Sequence, residues 1–359
     1  VSAGRAGPDE VEAQARACLP EPVWAWLAGG AADEISLRGN RAAWETLALW
    51  PGVLRPLCGA HTRSVLLGRE LATPLLLAPA AYQRLLHPLG EAGSALAAAT
   101  QGTGVVLSGM TSVPLEQVAH HVLAEPGRGP LWFQLYLSGD RGFDRALVDR
   151  ARAAGFEALV LTVDAPVQGP REREWRAGFR IPAGIAAVHY DDRPVPAVSP
   201  GALCGGLVEH APTWDDVAWL RDTAGLPLLL KGVLRADDAR RAHALGAAGL
   251  IVSNHGGRTL DTVTPTAAAL PRIADALGGA LPLLVDGGIR RGTDVLKALA
   301  LGANAVLVGR SALFAYAAGG PQGLAQALRR LRDELEIALA LCGCARLEQV
   351  SRTLLDAQQ

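Results

Sequence analysis

Eight short apolar runs recur along the chain, each followed by an Ala/Leu-rich amphipathic stretch of helical length. They are PLLLAPA (74–80), GVVLSG (104–109), LWFQLY (131–136), ALVLTVD (158–164), PLLLKG (227–232), GLIVSN (249–254), PLLVDGG (282–288) and AVLVGR (305–310). Strand-like runs alternating with helical stretches indicate βαβ units and a parallel sheet. With eight of them, closure into a (β/α)8 TIM barrel is the economical arrangement, because it leaves no exposed edge. A chain of 359 residues, half of them hydrophobic, can bury such a core, and one barrel domain spanning 1–359 is expected.

Three stretches depart from the rhythm. Residues 1–62 read as an N-terminal helical capping segment, with helices near 9–18, 20–28 and 34–47, before a short hairpin near 63–73. Residues 165–212, after the fourth run, are rich in Gly, Pro and charge and far longer than an ordinary βα loop, which marks them as an active-site lid. Strong helical periodicity over 320–341 suggests an element that closes the barrel's bottom or wall.

Composition narrows the partners. A formal charge of -1, with both signs dispersed, offers no electrostatic footprint for nucleic acid, so a small molecule is expected. No run reaches the roughly 18 to 20 apolar residues of a membrane span, and VSAGRAGPDEVEAQARA has no apolar signal core. Neither a membrane nor a secreted setting is indicated. The five cysteines (Cys18, Cys58, Cys204, Cys342, Cys344) follow neither a disulfide nor a metal-knuckle spacing, so a cytoplasmic location and no metal are expected. Cys342 and Cys344 read as small residues near a helix end.

In a closed barrel the chemistry gathers where strands end at the C-terminal face. Here those ends carry Ala78-Pro79-Ala80-Ala81, Ser108, Gln134 and Tyr136, Thr162 and Asp164, Lys231, Ser253-Asn254-His255, Asp286-Gly287-Gly288, and Gly309-Arg310. Taken singly, a Ser, Asn or Thr at a strand end often just satisfies nearby backbone groups. As a set they describe a polar site. DGGIRRGTD (286–294) and VGR (308–310) combine glycines, a helix start, Arg290 and Arg310, a composition suited to phosphate. In SNHGGRTLD (253–261), His255 and Arg258 sit three residues apart, so one loop offers an imidazole base and a fork for a carboxylate.

The chain resembles the FMN-dependent 2-hydroxy-acid oxidase and dehydrogenase family, which includes glycolate oxidase, lactate oxidase, mandelate dehydrogenase and hydroxymandelate oxidase. The likeness runs from AGGAADEISLRGNRAAW (28–44) through APAAYQRLLHPLGE, WFQLY, LTVDAP, LLLKGV, SNHGGRTLD and DGGIRRGTDVLKALALGA to VGR, all in the family's order. The resemblance implies FMN as cofactor. Ala78, Pro79, Ala80, Ala81, Ser108, Gln134, Thr162, Lys231 and Ser253 would hold its ring and ribityl chain; Asp286, Gly287, Gly288, Arg290, Gly309 and Arg310 would hold the ribityl and phosphate end. Lys231 would face the edge where reduced flavin gathers negative charge. His255 would accept a substrate proton, with Asp164 orienting the imidazole. Arg258 and Arg171 would bind the substrate carboxylate, and Tyr136 would approach the reacting hydroxyl. Whether the proton leaves the hydroxyl or Cα stays open at this stage; both routes use the same base. A homotetramer is also implied.

Two substrate-facing positions differ from the family pattern. Trp26-Leu27-Ala28 stands where Tyr-Tyr-Ala is usual, which puts an indole at Trp26 in place of a phenol. Met110 occupies a position that is commonly Trp in glycolate oxidases. Both changes suggest a 2-hydroxy acid larger or more apolar than glycolate, such as an aryl or branched one. Tyr82 resembles the hydroxymandelate oxidase branch, and Gln168 and Pro170 are also off-pattern. Ala81 favours O2 as oxidant, giving H2O2. The competing readings are a same-fold dehydrogenase passing electrons to a quinone or protein, an FMN-linked isomerase or synthase, and a flavin-binding barrel without catalysis.

Overall fold

The computed structural model describes residues 6–190 and 211–356. All eight apolar runs are strands of one closed parallel barrel: β3 (Leu75–Leu77), β4 (Gly104–Ser108), β5 (Leu131–Leu135), β6 (Ala158–Thr162), β7 (Leu228–Val233), β8 (Gly249–Val252), β9 (Leu283–Val285) and β10 (Ala305–Val308). β10 pairs with β3 to close it. Several strands are shorter than their runs, because the polar residues at the ends already belong to the loops.

Side chains alternate across each strand, and the alternation sorts the core into two clusters. Leu76, Val106, Trp132, Val160, Leu229, Ile251, Leu284 and Leu307 fill the barrel interior. Their neighbours, such as Leu75, Val105, Phe133 and Leu159, pack outward beneath the helices. Those helices are α4 (Gly90–Ala99), α5 (Leu115–Leu123), α6 (Arg141–Ala153), α8 (Trp214–Ala224), α9 (Ala236–Ala244), α10 (Thr266–Leu277), α11 (Gly292–Ala300) and α12 (Arg310–Leu341).

The N-terminal segment forms α1 (Pro8–Cys18), α2 (Glu21–Ala28) and α3 (Ile35–Thr46), close to the expected ranges. The hairpin is present as β1 (Ser64–Leu66) and β2 (Arg69–Leu71). It closes the barrel's bottom: Leu66 and Leu71 join the interior cluster, while Arg69 bonds Glu157 at 2.6 Å just before β6. Of the two placements expected for the stretch 320–341, bottom or wall, it takes the wall. It belongs to α12, which packs in the wall against α1, α11 and α4 and breaks at Gly319 and Gly320 before Pro321. The presumed lid contains a short helix, α7 (Glu172–Arg176); its residues 191–210, with Cys204, lie outside the described residues. Among the described residues, no helix is long and apolar enough to cross a membrane.

Candidate active site

The strand period places the polar residues of the site. Ala78, Ser108, Gln134, Thr162, Lys231, Ser253, Asp286 and Gly309 each lie two positions beyond an inward apolar residue, so all eight continue the inner face upward. All but Ser253 line the floor of the site, above the apolar plug. Neighbours around this ring bond one another: Ser108 Oγ to Gln134 Oε1 at 3.1 Å, Gln134 Nε2 to Thr162 Oγ1 at 2.9 Å, and Lys231 Nζ to Ser253 Oγ at 2.9 Å. Lys231 also pairs with Asp286 at 3.1 Å. Burial would lower the Lys231 pKa, but Asp286 and Asp164 outweigh it and raise the value, so the ammonium is a fixed positive charge in the floor.

Above the floor opens a cavity of about 1810 Å³, bounded by the strand-end loops, by α2 and by the segment after β6. Asp286 lines it, and its Oδ1 is buried with no protein partner among the described residues. A buried acceptor in that state suits a ligand hydroxyl. Gly288 stands at φ +82, and a Cβ there would lie 2.5 Å from the Asn40 carbonyl oxygen, so only glycine fits where α3 meets the phosphate-type loop. Arg290 is turned toward α1, where Glu12 and Asp9 lie 2.7 and 3.0 Å from its Nη2. Arg310, at the start of α12, donates to the carbonyls of Gly256, Ala28 and Gly29. Burial pushes its pKa down to about 10.

His255 lies on the wall of this cavity in the left-handed region, at φ +56. Its amide donates to Ser253 Oγ at 3.0 Å, and its Nδ1 is 3.0 Å from Asp164 Oδ1. Burial would raise the Asp164 pKa, but the adjacent His255 and Lys231 hold the carboxyl below its usual range. Asp164 and Ser253 do not line the cavity; they support the residues that do. Beyond His255, Arg258 donates through Nη1 to the carbonyls of Trp26 and Gly29, both at 2.7 Å, and through Nη2 to Glu174 at 2.9 Å. Burial, with Arg171 nearby, lowers the Arg258 pKa to about 9. Arg171, Tyr136, Trp26 and Met110 also face the cavity. Burial and the Asp164 charge push the Tyr136 phenol up, keeping it protonated.

Sequence reasoning missed several residues here. Glu174, Phe179 and Tyr190 come from the presumed lid: Phe179 stacks on Trp26 at 5.7 Å, and the Tyr190 hydroxyl donates to the Tyr136 carbonyl at 3.4 Å. Asn40 and Asn254 exchange amide hydrogen bonds of 2.7 and 2.8 Å, tying α3 to the His255 loop. Asn254 was visible only as a strand-end residue, and its partner lies 214 positions away.

An eight-stranded barrel with a phosphate-type loop, a floor lysine and a histidine–aspartate pair above it defines a flavin-type oxidoreductase site. The chain belongs to the FMN-dependent dehydrogenase family, whose model matches residues 15–357. It is 46% identical to an L-lactate oxidase of Roseobacter sp. (strain GAI101), covering 96% of this chain and 93% of that protein. It is 39% identical to glycolate oxidase of Spinacia oleracea, covering 97% and 95%. A solved structure of mandelate oxidase with benzoyl-formic acid superposes with a TM-score of 0.88 at 41% identity, covering 98% of this chain and 97% of that one. Another mandelate oxidase structure, carrying a C4a-OH-FMN adduct, gives 0.86 at 42%. The chain is thus an FMN-dependent enzyme that oxidises the CH–OH group of a 2-hydroxy acid to the 2-oxo acid.

Proposed function

We propose that His255 is the base of this oxidation, that Arg258 and Arg171 bind the substrate carboxylate, and that the acid has a side chain larger or more apolar than glycolate's, aryl or branched, with O2 as oxidant and H2O2 as product. The His255–Asp164 contact at 3.0 Å on the cavity wall carries the first part. Bound FMN supplies the two-electron acceptor. Asp286 Oδ1 and the glycine-lined loop at 286–288 would hold its ribityl and phosphate end, and Ala78 to Ala81, Gln134 and Lys231 its ring. His255 takes one substrate proton while Asp164, kept ionised, stabilises the imidazolium. Tyr136, held protonated, can donate a hydrogen bond near the reacting oxygen. Three of the five Arg258 N–H groups are engaged, which leaves donors for a carboxylate.

The apolar wall supports the substrate class: Trp26 stacked on Phe179, with Met110 and Tyr190 also lining the cavity. The test is an anaerobic titration of the flavin-loaded enzyme with acids from glycolate and lactate to mandelate and branched aliphatic ones, followed by air. Mandelate-like or branched acids should bleach the flavin at lower concentration than glycolate, and colour should return within seconds of aeration. Preferred turnover of glycolate or lactate would overturn the size assignment. Slow return of colour would favour a quinone or protein acceptor, and no bleaching by any acid would remove the base assignment.

A further inference from the structure

Glu174 is buried at the junction of the two guanidinium groups facing the cavity. Its Oε1 accepts from Arg258 Nη2 at 2.9 Å and lies 3.7 Å from Arg171 Nη1. Arg171 also donates through Nε to the Arg258 carbonyl at 3.4 Å. Arg171 is the N-cap of α7 and Glu174 lies three residues on, so one turn of helix presents cation and anion on the same face. Trp175 N bonds the Arg171 carbonyl at 3.1 Å and closes that turn, and Phe179 N bonds the Glu174 carbonyl at 3.0 Å where the helix ends. Two half-buried guanidiniums side by side repel, and a single carboxylate oxygen shared between them offsets the repulsion.

We propose that Glu174 is a positioning residue for substrate recognition: its carboxylate holds Arg258 and Arg171 together so that both can engage one substrate carboxylate. The role rests on the carboxylate-binding assignment of those two arginines. Arg258 is steered on its other side by the Trp26 and Gly29 carbonyls, so Glu174 supplies the only carboxylate bonded to it among the described residues. The cluster of Arg258, Arg171 and Glu174 carries one net positive charge, and an incoming carboxylate neutralises it. Without Glu174 the pair would carry two, and the guanidiniums would separate.

The test compares flavin-loaded wild type with Glu174→Ala, Glu174→Gln, Glu174→Asp, Arg171→Ala and Arg258→Lys, using the best acid from the titration above and its neutral methyl ester. Glu174→Ala should raise the half-saturating acid concentration roughly ten- to a hundredfold, with the limiting bleaching rate changed by less than about threefold. Glu174→Gln should fall between the two, and Glu174→Asp should recover part of the loss. Half-saturation by the ester, which has no carboxylate, should not move. If Arg171→Ala and Arg258→Lys weaken acid binding but the Glu174 variants do not, the positioning role is overturned and the arginine assignment stands. If the arginine variants leave acid binding unchanged, the assignment beneath it fails. Equal losses for acid and ester would mark Glu174 as structural and overturn the proposal. Should Glu174→Ala not hold flavin, the near-isosteric Gln and Asp variants decide by the same comparison.

Discussion

His255 occupies backbone that non-glycine residues seldom adopt, at φ +56, and such a placement costs on the order of 1–3 kcal/mol unless the surroundings impose it. Here Ser253 Oγ grips its amide and Asp164 its ring, so the imidazole is fixed before a substrate arrives. In the proposed mechanism the charge of Asp164 matters as much as its geometry, because it would face the imidazolium formed there. Replacing Asp164 with Asn keeps the shape and removes the charge. We expect the anaerobic bleaching rate at saturating acid to fall by about 10²- to 10⁴-fold with flavin content unchanged; a rate within a few-fold of wild type would make Asp164 a bystander. Trp26 tests specificity at the same scale. It stacks on Phe179 and sits 5.9 Å beneath the Arg258 guanidinium. Trp26→Tyr restores a phenol and shortens the apolar wall, so the ratio of kcat/KM for lactate over mandelate should rise about tenfold, roughly the value of one buried apolar contact. An unchanged ratio would show that this wall does not choose the substrate.

At the scale of elements, α3 decides whether the loops above the barrel hold their shape. Its first turn has no local cap: Glu34 sits at φ +60 and caps nothing through its side chain. Asp261, some 225 residues away, accepts from the amides of Ser36 at 2.7 Å and Ile35 at 3.1 Å. From that docked helix Asn40 bonds Asn254, and Trp44 Nε1 donates to the Gly287 carbonyl at 2.7 Å. Burial would raise the Asp261 pKa, but the Ser36 and Ile35 amides hold it below its usual range. A carboxyl whose folded pKa is depressed stabilises fully above its unfolded pKa, near 3.9, and loses that contribution as pH falls through the folded value. Asp261→Ala should therefore cost about 0.5–2 kcal/mol at neutral pH, and the gap to wild type should narrow below about pH 4. Melting curves between pH 7 and 3 would show it; a gap independent of pH would mean that the cap does not depend on charge. None of this was legible in the sequence. Periodicity finds α3 because the pattern is local, whereas the cap and the amide pair join residues more than 200 positions apart. Glu174, three residues from Arg171 in the same short helix, was not picked out either, because its bond to Arg258 joins residues 84 positions apart.

For the whole molecule, the two ends of the barrel do different work. The top was legible because one rule governs it: period two carries eight inward positions past the apolar core to the strand ends, where six are polar, so Ser108, Gln134, Thr162, Lys231 and Asp286 could be picked out from the sequence. The bottom was less legible: 320–341 stayed open between bottom and wall, because helical periodicity says nothing about where a helix packs. A three-residue-per-strand hairpin does the closing instead, with Leu66 and Leu71 each 2% exposed against the interior cluster. That division makes stability and chemistry separable. Leu71→Ala removes buried apolar contacts at the bottom, and the rigid barrel can collapse little to refill the space, so unfolding should become easier by about 2–5 kcal/mol. The floor of the active site lies at the other end of the strands, so kcat and KM for the preferred acid should stay within about twofold of wild type wherever the variant is folded. Denaturant unfolding paired with initial rates would check both at once. If Leu71→Ala lost turnover in proportion to stability, the plug would be supporting the geometry of Lys231 and Asp286, and the barrel would transmit strain along its full height.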